Sequence, residues 1–176
     1  TIIATCGTNA DIRMQMYNLD GSEGMMCGNG IRCFVAFGVN IGLLNRDSAS
    51  FSVETASGIL EVTPIWENDQ MVAASVNMGL PKFLSSEVPF ILKGYQSLED
   101  YDLEIEDQHF AVSALSMGNP HAVTILDTPI SGFDLAHIGP KIENHPIFPQ
   151  QVNFEIINIL NRDLISLRVW ERRHRG

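Results

Sequence analysis

Residues 28–44, GNGIRCFVAFGVNIGLL, decide the fold because apolar side chains occupy every side of a helical wheel drawn through them. A helix that is apolar all round is normally buried, so the segment is predicted to form a buried helix that the turn residues 45–48 bring to an end. Gly38 and Gly42 each weaken such a helix by about 1 kcal/mol relative to alanine, but they let neighbouring strands approach its backbone. We therefore expect a sheet wrapped around this helix.

The rest of the chain is rich in strand signals. Alternating apolar and polar residues over 12–17 predict a half-buried strand. Further runs rich in β-branched and aromatic residues predict strands at 51–55, 59–65, 71–77, 109–116, 121–126, 152–160 and 164–170. Residues 133–143 are predicted to hold one short helical turn. Many strands for few helices indicate a mixed α/β (α+β) architecture.

Composition limits the classes of function. The chain has 176 residues, 45% of them apolar, and a net charge of -10, which argues against a nucleic-acid partner. Three cysteines without paired spacing predict free thiols in a reducing compartment, and we expect a cytoplasmic protein. No apolar run approaches the roughly 18 residues of a membrane span, and no signal peptide is visible, so we expect no membrane partner. A homodimer is compatible with the sequence.

Cys27 stands immediately before the predicted helix. The first backbone N–H groups of a helix lack partners within the helix, and its dipole places partial positive charge there. A thiol at such a position ionises more readily than an ordinary one, and the N–H groups of Gly28, Asn29 and Gly30 form a site for an anion such as a carboxylate. This suits chemistry at a carbon next to a carboxylate. The alternative, that Cys27 is a small buried apolar residue, is evenly matched with it on physical grounds.

The sequence does not match the common nucleotide-binding or metal-binding motifs. GNGIRC lacks the third glycine of a dinucleotide-binding fingerprint, and no Gly-Lys-Ser/Thr follows for a phosphate-binding loop. Cys27 and Cys33 lie about 240° apart around a helix and cannot share a metal. His109, His137 and His145 show no metal-ligand spacing. We expect no metal and no cofactor, with Cys33 in the core and Cys6 as an incidental strand residue.

Three further stretches carry candidate site residues. In SMGNPHAV (116–123), Asn119 precedes a proline and must be extended, and His121 begins a strand as a candidate general base. Asn153 is a candidate amide donor to a ligand, or simply a strand cap. In RVWER (168–172), Arg172 can hold a carboxylate through two hydrogen bonds, although the residues alone favour a solvated pair with Glu171. A structural role is the commoner fate of a lone turn histidine such as His121.

In order along the chain, four segments resemble diaminopimelate epimerase: NLDGSEGMMCGNGIRC (18–33), MGNPHAV (117–123), HPIFPQQVNFE (145–155) and RVWER (168–172). The resemblance implies a pyridoxal-independent epimerase that interconverts LL- and meso-diaminopimelate by thiol acid/base chemistry, in lysine and cell-wall biosynthesis. It also implies a diaminopimelate epimerase-like fold of two similar halves, each with mixed or antiparallel sheet around a central buried helix.

The resemblance also implies roles for individual residues. Cys27 matches the first catalytic cysteine, and Gly28 and Asn29 match the residues that hold the substrate's α-carboxylate. Arg172 matches the arginine that grips the distal carboxylate. His121 and Glu171 match residues that assist the thiol chemistry and bind the substrate ammonium. Asn18, Asn119 and Asn153 match asparagines that bind the substrate.

The sequence departs from the family pattern after Arg172. It reads RHRG where the family has a glycine-rich turn, a second catalytic cysteine and a second central helix. We therefore expect a first half over residues 1–84 that carries the helix 28–44, and an incomplete second half over residues 85–176 that lacks its central helix. The alternatives are a catalytically crippled remnant, a carboxylate-binding fragment, a proline racemase-like isomerase of the same fold and, distantly, a metal-dependent hydrolase.

Overall fold

The computed structural model describes residues 1–17, 21, 23–24 and 27–172. These residues divide into two compact units, residues 1–79 and residues 80–172. Each unit is built on one sheet in which a single pair of parallel strands is joined through a helix. This combination of two mixed sheets with few helices confirms the α+β class predicted from the sequence.

The first unit holds a six-stranded sheet and the helix α1. Its elements are β1 (Ile2–Thr5), β2 (Ile12–Tyr17), β3 (Glu23–Gly24), α1 (Gly28–Asn40), β4 (Phe51–Thr55), β5 (Gly58–Glu67) and β6 (Gln70–Val76). The strand order is β1-β2-β4-β5-β6, with β3 paired to β2. Because β2 and β4 run parallel, the chain must cross over between them, and α1 lies in this connection. A tight turn at Asn68 and Asp69, both with positive φ (45° and 67°), joins β5 to β6.

Burial of α1 is one-sided, which corrects the expectation of a helix buried all round. Ile31, Phe34, Val35 and Gly38 are buried, whereas Phe37 is 52% exposed. Strands β1, β2 and β6 pack against α1 and cover one side of it. The helix also ends at Asn40, earlier than predicted.

The other two cysteines differ from expectation as well. Cys33 is exposed and does not lie in the core. It sits two positions from both Ile31 and Val35, and residues two apart on a helix point in nearly opposite directions. Cys6 is exposed and comes just after β1 ends at Thr5, so it is not a strand residue.

The second unit holds a five-stranded sheet covered on one face by α2. Its elements are β7 (Tyr101–Ile105), β8 (Gln108–Ser116), β9 (Pro120–Ile125), a 3-10 turn (Ile130–Gly132), α2 (Leu135–Glu143), β10 (Asn153–Asn161) and β11 (Leu164–Trp170). The strand order is β11-β10-β9-β8-β7, and β9 and β10 are the parallel pair. The helix α2 spans nine residues, where the sequence predicted one short turn.

Close packing of α2 on the sheet depends on Gly139. A Cβ added at Gly139 would lie 2.5 Å from Cγ of Trp170, so only glycine fits against this ring. The indole Nε1 of Trp170 also donates to Oε2 of Glu143 at 2.8 Å. The helix therefore approaches β11 at a glycine and is held there by a partly buried hydrogen bond.

Strand β7 was missed in the sequence because it lies in a mixed, acidic stretch. Its alternating Leu103 and Ile105 are buried, and a tight turn with positive φ at Glu106 and Asp107 joins it to β8. The face of the sheet opposite α2 carries exposed apolar side chains, which we call the open face: Ile125, Ile159, Ile165, Leu167 and Val169. Neither described helix is long and apolar enough to cross a membrane.

Candidate functional site

Cys27 caps the N-terminus of α1. Its backbone is extended (φ -139°, ψ 106°), and its Sγ accepts a hydrogen bond from the N–H of Gly30 at 3.2 Å. Its carbonyl oxygen accepts from the N–H of Ile31 at 2.9 Å, and the residue is only partly buried. The sulfur atom thus accepts a hydrogen bond from a helix N–H at the positive end of the helix dipole.

The two glycines near Cys27 differ in how much space surrounds their Cα atoms. A Cβ at Gly30 would lie 3.2 Å from Sγ of Cys27 and 3.0 Å from Ile2, so glycine leaves room for the thiol. At Gly28 the nearest atom to an added Cβ is 3.9 Å away, so its backbone is open. Among the described residues, the N–H groups of Gly28 and Asn29 have no acceptor, while the side-chain oxygen of Asn29 accepts from Arg32. The N–H groups of Gly28 and Asn29, which have no acceptor in the described structure, thus lie beside the capping sulfur of Cys27.

In the second unit, candidate residues gather at one edge of the sheet. Parallel β9 and β10 both begin at this edge, with His121 opposite Asn153. Strand β11 runs antiparallel to β10 and ends there, with Trp170 opposite Phe154, so Glu171 and Arg172 follow at the same edge. We call it the β9–β10 edge. The structure therefore brings together Asn119, His121, Asn153, Glu171 and Arg172.

His121 makes the shortest polar contact at this edge. Its Nδ1 lies 2.6 Å from Oε1 of Glu155, and its Nε2 lies 3.0 Å from Oδ1 of Asn119. The His121 side chain is 24% exposed and that of Glu155 only 9%. Sequence reasoning missed Glu155, although a glutamate inside the apolar run NFEII was a signal, because a buried carboxylate requires a partner.

The amide of Asn153 is engaged within the protein. Its Nδ2 donates to the carbonyl of Pro120 at 3.3 Å, and its Oδ1 accepts from the backbone N–H of Arg172 at 2.9 Å. Asn153 thus joins the start of β9 to the end of β11. This matches the strand-cap role that the sequence left open beside ligand binding.

Arg172 is partly buried, and burial lowers the pKa of its guanidinium from the ordinary value. Its NH1 donates to the carbonyl of Gln150 at 3.1 Å. A guanidinium has five N–H donors, so donors are left for an anion. Glu171 is exposed, and Asn18 lies outside the described residues.

The remaining histidines of the described chain have local partners. His109 pairs with Asp102 and His137 with Glu106, both at the surface. His145 accepts from the N–H of Ile147, and burial lowers the pKa of its ring. Among the described residues, no group of three or more His, Cys, Asp or Glu is arranged to hold a metal ion.

Two solved structures share the fold of this chain. A hydroxyproline epimerase from Agrobacterium vitis matches with a TM-score of 0.66 at 12% identity, over 96% of this chain and 51% of that one. A PhzF-family phenazine biosynthesis protein from Bacillus anthracis matches with a TM-score of 0.58 at 18% identity, over 97% of this chain and 56% of that one. At such identities the likeness shows the fold alone, which is the diaminopimelate epimerase-like fold.

Sequence comparison is more specific. The family model for diaminopimelate epimerase matches residues 2–84. Diaminopimelate epimerase 1 of Nostoc sp. is 40% identical over 173 residues, 97% of this chain and 60% of the relative. The enzyme of Nitrosomonas eutropha is 43% identical over 174 residues, 97% of this chain and 58% of the relative. The chain is a homologue of the diaminopimelate epimerases, which confirms the resemblance, and it spans about 60% of the length of these curated relatives.

Proposed function

We propose that this chain supplies the first thiol and much of the substrate site of a pyridoxal-independent diaminopimelate epimerase. The observation that carries the proposal is the capping of α1 by Cys27, whose Sγ accepts from the N–H of Gly30 at 3.2 Å. The 40% identity to a diaminopimelate epimerase over 173 residues supports the choice of substrate. The reaction interconverts LL- and meso-diaminopimelate and belongs to lysine and cell-wall biosynthesis in the cytoplasm.

Chemistry in the first unit begins with a bound carboxylate. The N–H groups of Gly28 and Asn29 hold the α-carboxylate of the substrate at the positive end of α1. The Cys27 thiolate takes the proton from the α-carbon, and the electron pair left behind is delocalised into the carboxylate. N–H groups aimed at that developing charge contribute several kcal/mol, and a positioned base adds about 10²–10⁴-fold.

The second unit carries the remaining candidate residues. Arg172 holds the distal carboxylate, and pairing with an anion offsets the cost of its partial burial. His121 and Glu171 assist the thiol chemistry and the substrate ammonium, and Asn18, Asn119 and Asn153 contribute amides. A homodimer and the absence of a cofactor remain predictions.

Hydrogen exchange in D₂O tests the proposal. The chain is incubated separately with LL- and meso-diaminopimelate, and deuterium at the α-carbon is followed by mass spectrometry. We expect exchange from one stereoisomer with little inversion, because in the described part of the chain Cys27 is the one cysteine that caps a helix. Equal, rapid conversion of both isomers contradicts the single-thiol mechanism. Exchange of proline in place of diaminopimelate favours a proline racemase-like activity.

A second candidate function is binding of diaminopimelate without turnover. Its support is that the unpaired N–H groups beside Cys27 and the spare donors of Arg172 suit carboxylates whether or not a proton moves. Titration calorimetry with meso-diaminopimelate separates the two functions. Heat of binding without deuterium incorporation supports this second candidate and contradicts the first.

A further inference from the structure

Glu155 lies on the open face of the second sheet, yet its side chain is only 9% exposed. Its cross-strand neighbours are Val123 on β9 and Val169 on β11. Residues directly opposite each other share one face of a sheet, so this carboxylate stands between two valines. An apolar side chain would suit that position better, because burying a charge carries a large desolvation cost.

Within the described residues, this carboxylate has one partner, His121, whose Nδ1 lies 2.6 Å from Oε1. Its other oxygen, Oε2, is buried with no hydrogen-bond partner in the described part of the chain. Replacing a buried ion pair by apolar residues is often neutral or stabilising. Stability therefore does not explain why position 155 is a glutamate, whereas the contact of Glu155 with His121 does.

Both ring nitrogens of His121 have side-chain partners. An ionised carboxylate only accepts, so the Nδ1–H of His121 donates to Oε1 of the Glu155 carboxylate at 2.6 Å. Nε2 lies 3.0 Å from the side-chain oxygen of Asn119. The contact with Glu155 therefore places the Nδ1 proton and leaves Nε2 on the Asn119 side of the ring.

We propose that Glu155 is a positioning residue, which holds the Nδ1 proton of His121 and thereby directs Nε2 towards Asn119 and the substrate. The inference rests on the proposed function for the role of His121, but the contact itself is independent of it. Carboxylates orient catalytic imidazoles in this way by fixing the tautomer and stabilising the positive charge.

Nuclear magnetic resonance on the full chain labelled with ¹⁵N-histidine tests the contact. We expect a slowly exchanging Nδ1 proton on His121 in the wild type. Glu155→Gln keeps an oxygen acceptor and retains that signal in part, whereas Glu155→Leu abolishes it. The matched control is Glu106→Gln, which removes the carboxylate of the exposed His137–Glu106 pair and leaves His121 unchanged. Persistence of the Nδ1 signal in Glu155→Leu overturns the proposal.

Unfolding and exchange measurements separate positioning from a structural role. Glu155→Leu is expected to unfold at the wild-type temperature or above it, while the rate of α-hydrogen exchange falls about 100-fold at unchanged KM, the lower end of a positioned acid–base contribution. A lowered unfolding temperature with an unchanged rate per folded molecule means that Glu155 is structural and overturns the proposal. If the wild type exchanges no hydrogen, the proposed function fails, and the resonance experiment still decides whether Glu155 positions His121.

Discussion

The candidate sites of the two units are made of different kinds of chemical group. In the first unit, the thiol and the anion-binding N–H groups come from consecutive residues at the start of α1, Cys27 to Gly30. In the second unit, the groups come from three strands, and the closest pair, His121 and Glu155, is separated by 34 positions. The first site is made largely of backbone, and the second largely of side chains.

This difference determines where each site is vulnerable. A helix terminus supplies its N–H groups whatever the side chains are, so the first site depends on the capping atom and on the glycines that leave room for it. The edge of a sheet supplies only places at which side chains can stand. The second site therefore depends on strand register and on the packing that holds β11 and α2 together. Substitutions at each place test this comparison.

The largest expected effect follows replacement of the capping sulfur, Cys27→Ser. Serine is a preferred helix N-cap, so the start of α1 and the free energy of unfolding are expected to stay the same. The hydroxyl does not supply a thiolate base, so deuterium incorporation into diaminopimelate should fall by about 10²–10⁴-fold. Mass spectrometry of the substrate and thermal unfolding measure the two quantities.

The control for this substitution is Cys33→Ser, which removes an exposed thiol from the same helix. It is expected to leave exchange at the wild-type rate. Equal losses in the two variants would show that the first site does not depend on the capping atom.

A smaller effect is expected at the packing contact of the second unit. In Gly139→Ala, the new Cβ would lie 2.5 Å from the Trp170 ring, so α2 or β11 must shift. We expect a loss of about 1–3 kcal/mol in the free energy of unfolding, as overpacking usually causes. Urea denaturation followed by tryptophan fluorescence measures it.

Gly132→Ala is the matched control, because nothing lies within 4 Å of a Cβ placed there. It is expected to change stability by less than half of the Gly139→Ala effect. If the two variants are equally unstable, close approach of α2 to Trp170 is not what holds this edge together.

The smallest expected effect is a difference in acid sensitivity between the units. Burial lowers the pKa of His145 from 6.5, so its contribution to the second unit is present above pH 6.5 and is lost as pH falls through the lowered folded pKa. In the first unit, hydrogen bonds from the backbone N–H and then the hydroxyl of Ser52 lower the pKa of Asp11 from 3.8. The contribution of Asp11 is present above pH 3.8 and is lost at still lower pH.

The measurement is the free energy of unfolding as a function of pH in the wild type, His145→Gln and Asp11→Asn. His145→Gln should flatten the dependence just below pH 6.5, and Asp11→Asn should flatten it only below pH 3.8. A pH dependence that neither substitution changes would contradict these two shifts in pKa.

Much of the fold was accessible from the sequence. The strands at 51–55 and 164–170 have the predicted bounds, because alternation and turn residues are local signals. Strand β7 was missed since acidic residues hide the alternation of Leu103 and Ile105. The prediction that α1 is buried on all sides was wrong, because apolar residues around a whole helical wheel do not show how many strands cover the helix.

By itself, the sequence determined the thiol at the start of a helix, since a cap forms between residues three positions apart and needs no distant partner. Only the tertiary structure decided that Glu155 contacts His121, that Asn153 joins two strands, and that one face of the second sheet stays open. The reason is that parallel pairing of β9 with β10 depends on a register set by the packing of α2 and the surrounding core. That register is a property of many weak contacts together, and no short stretch of residues contains it.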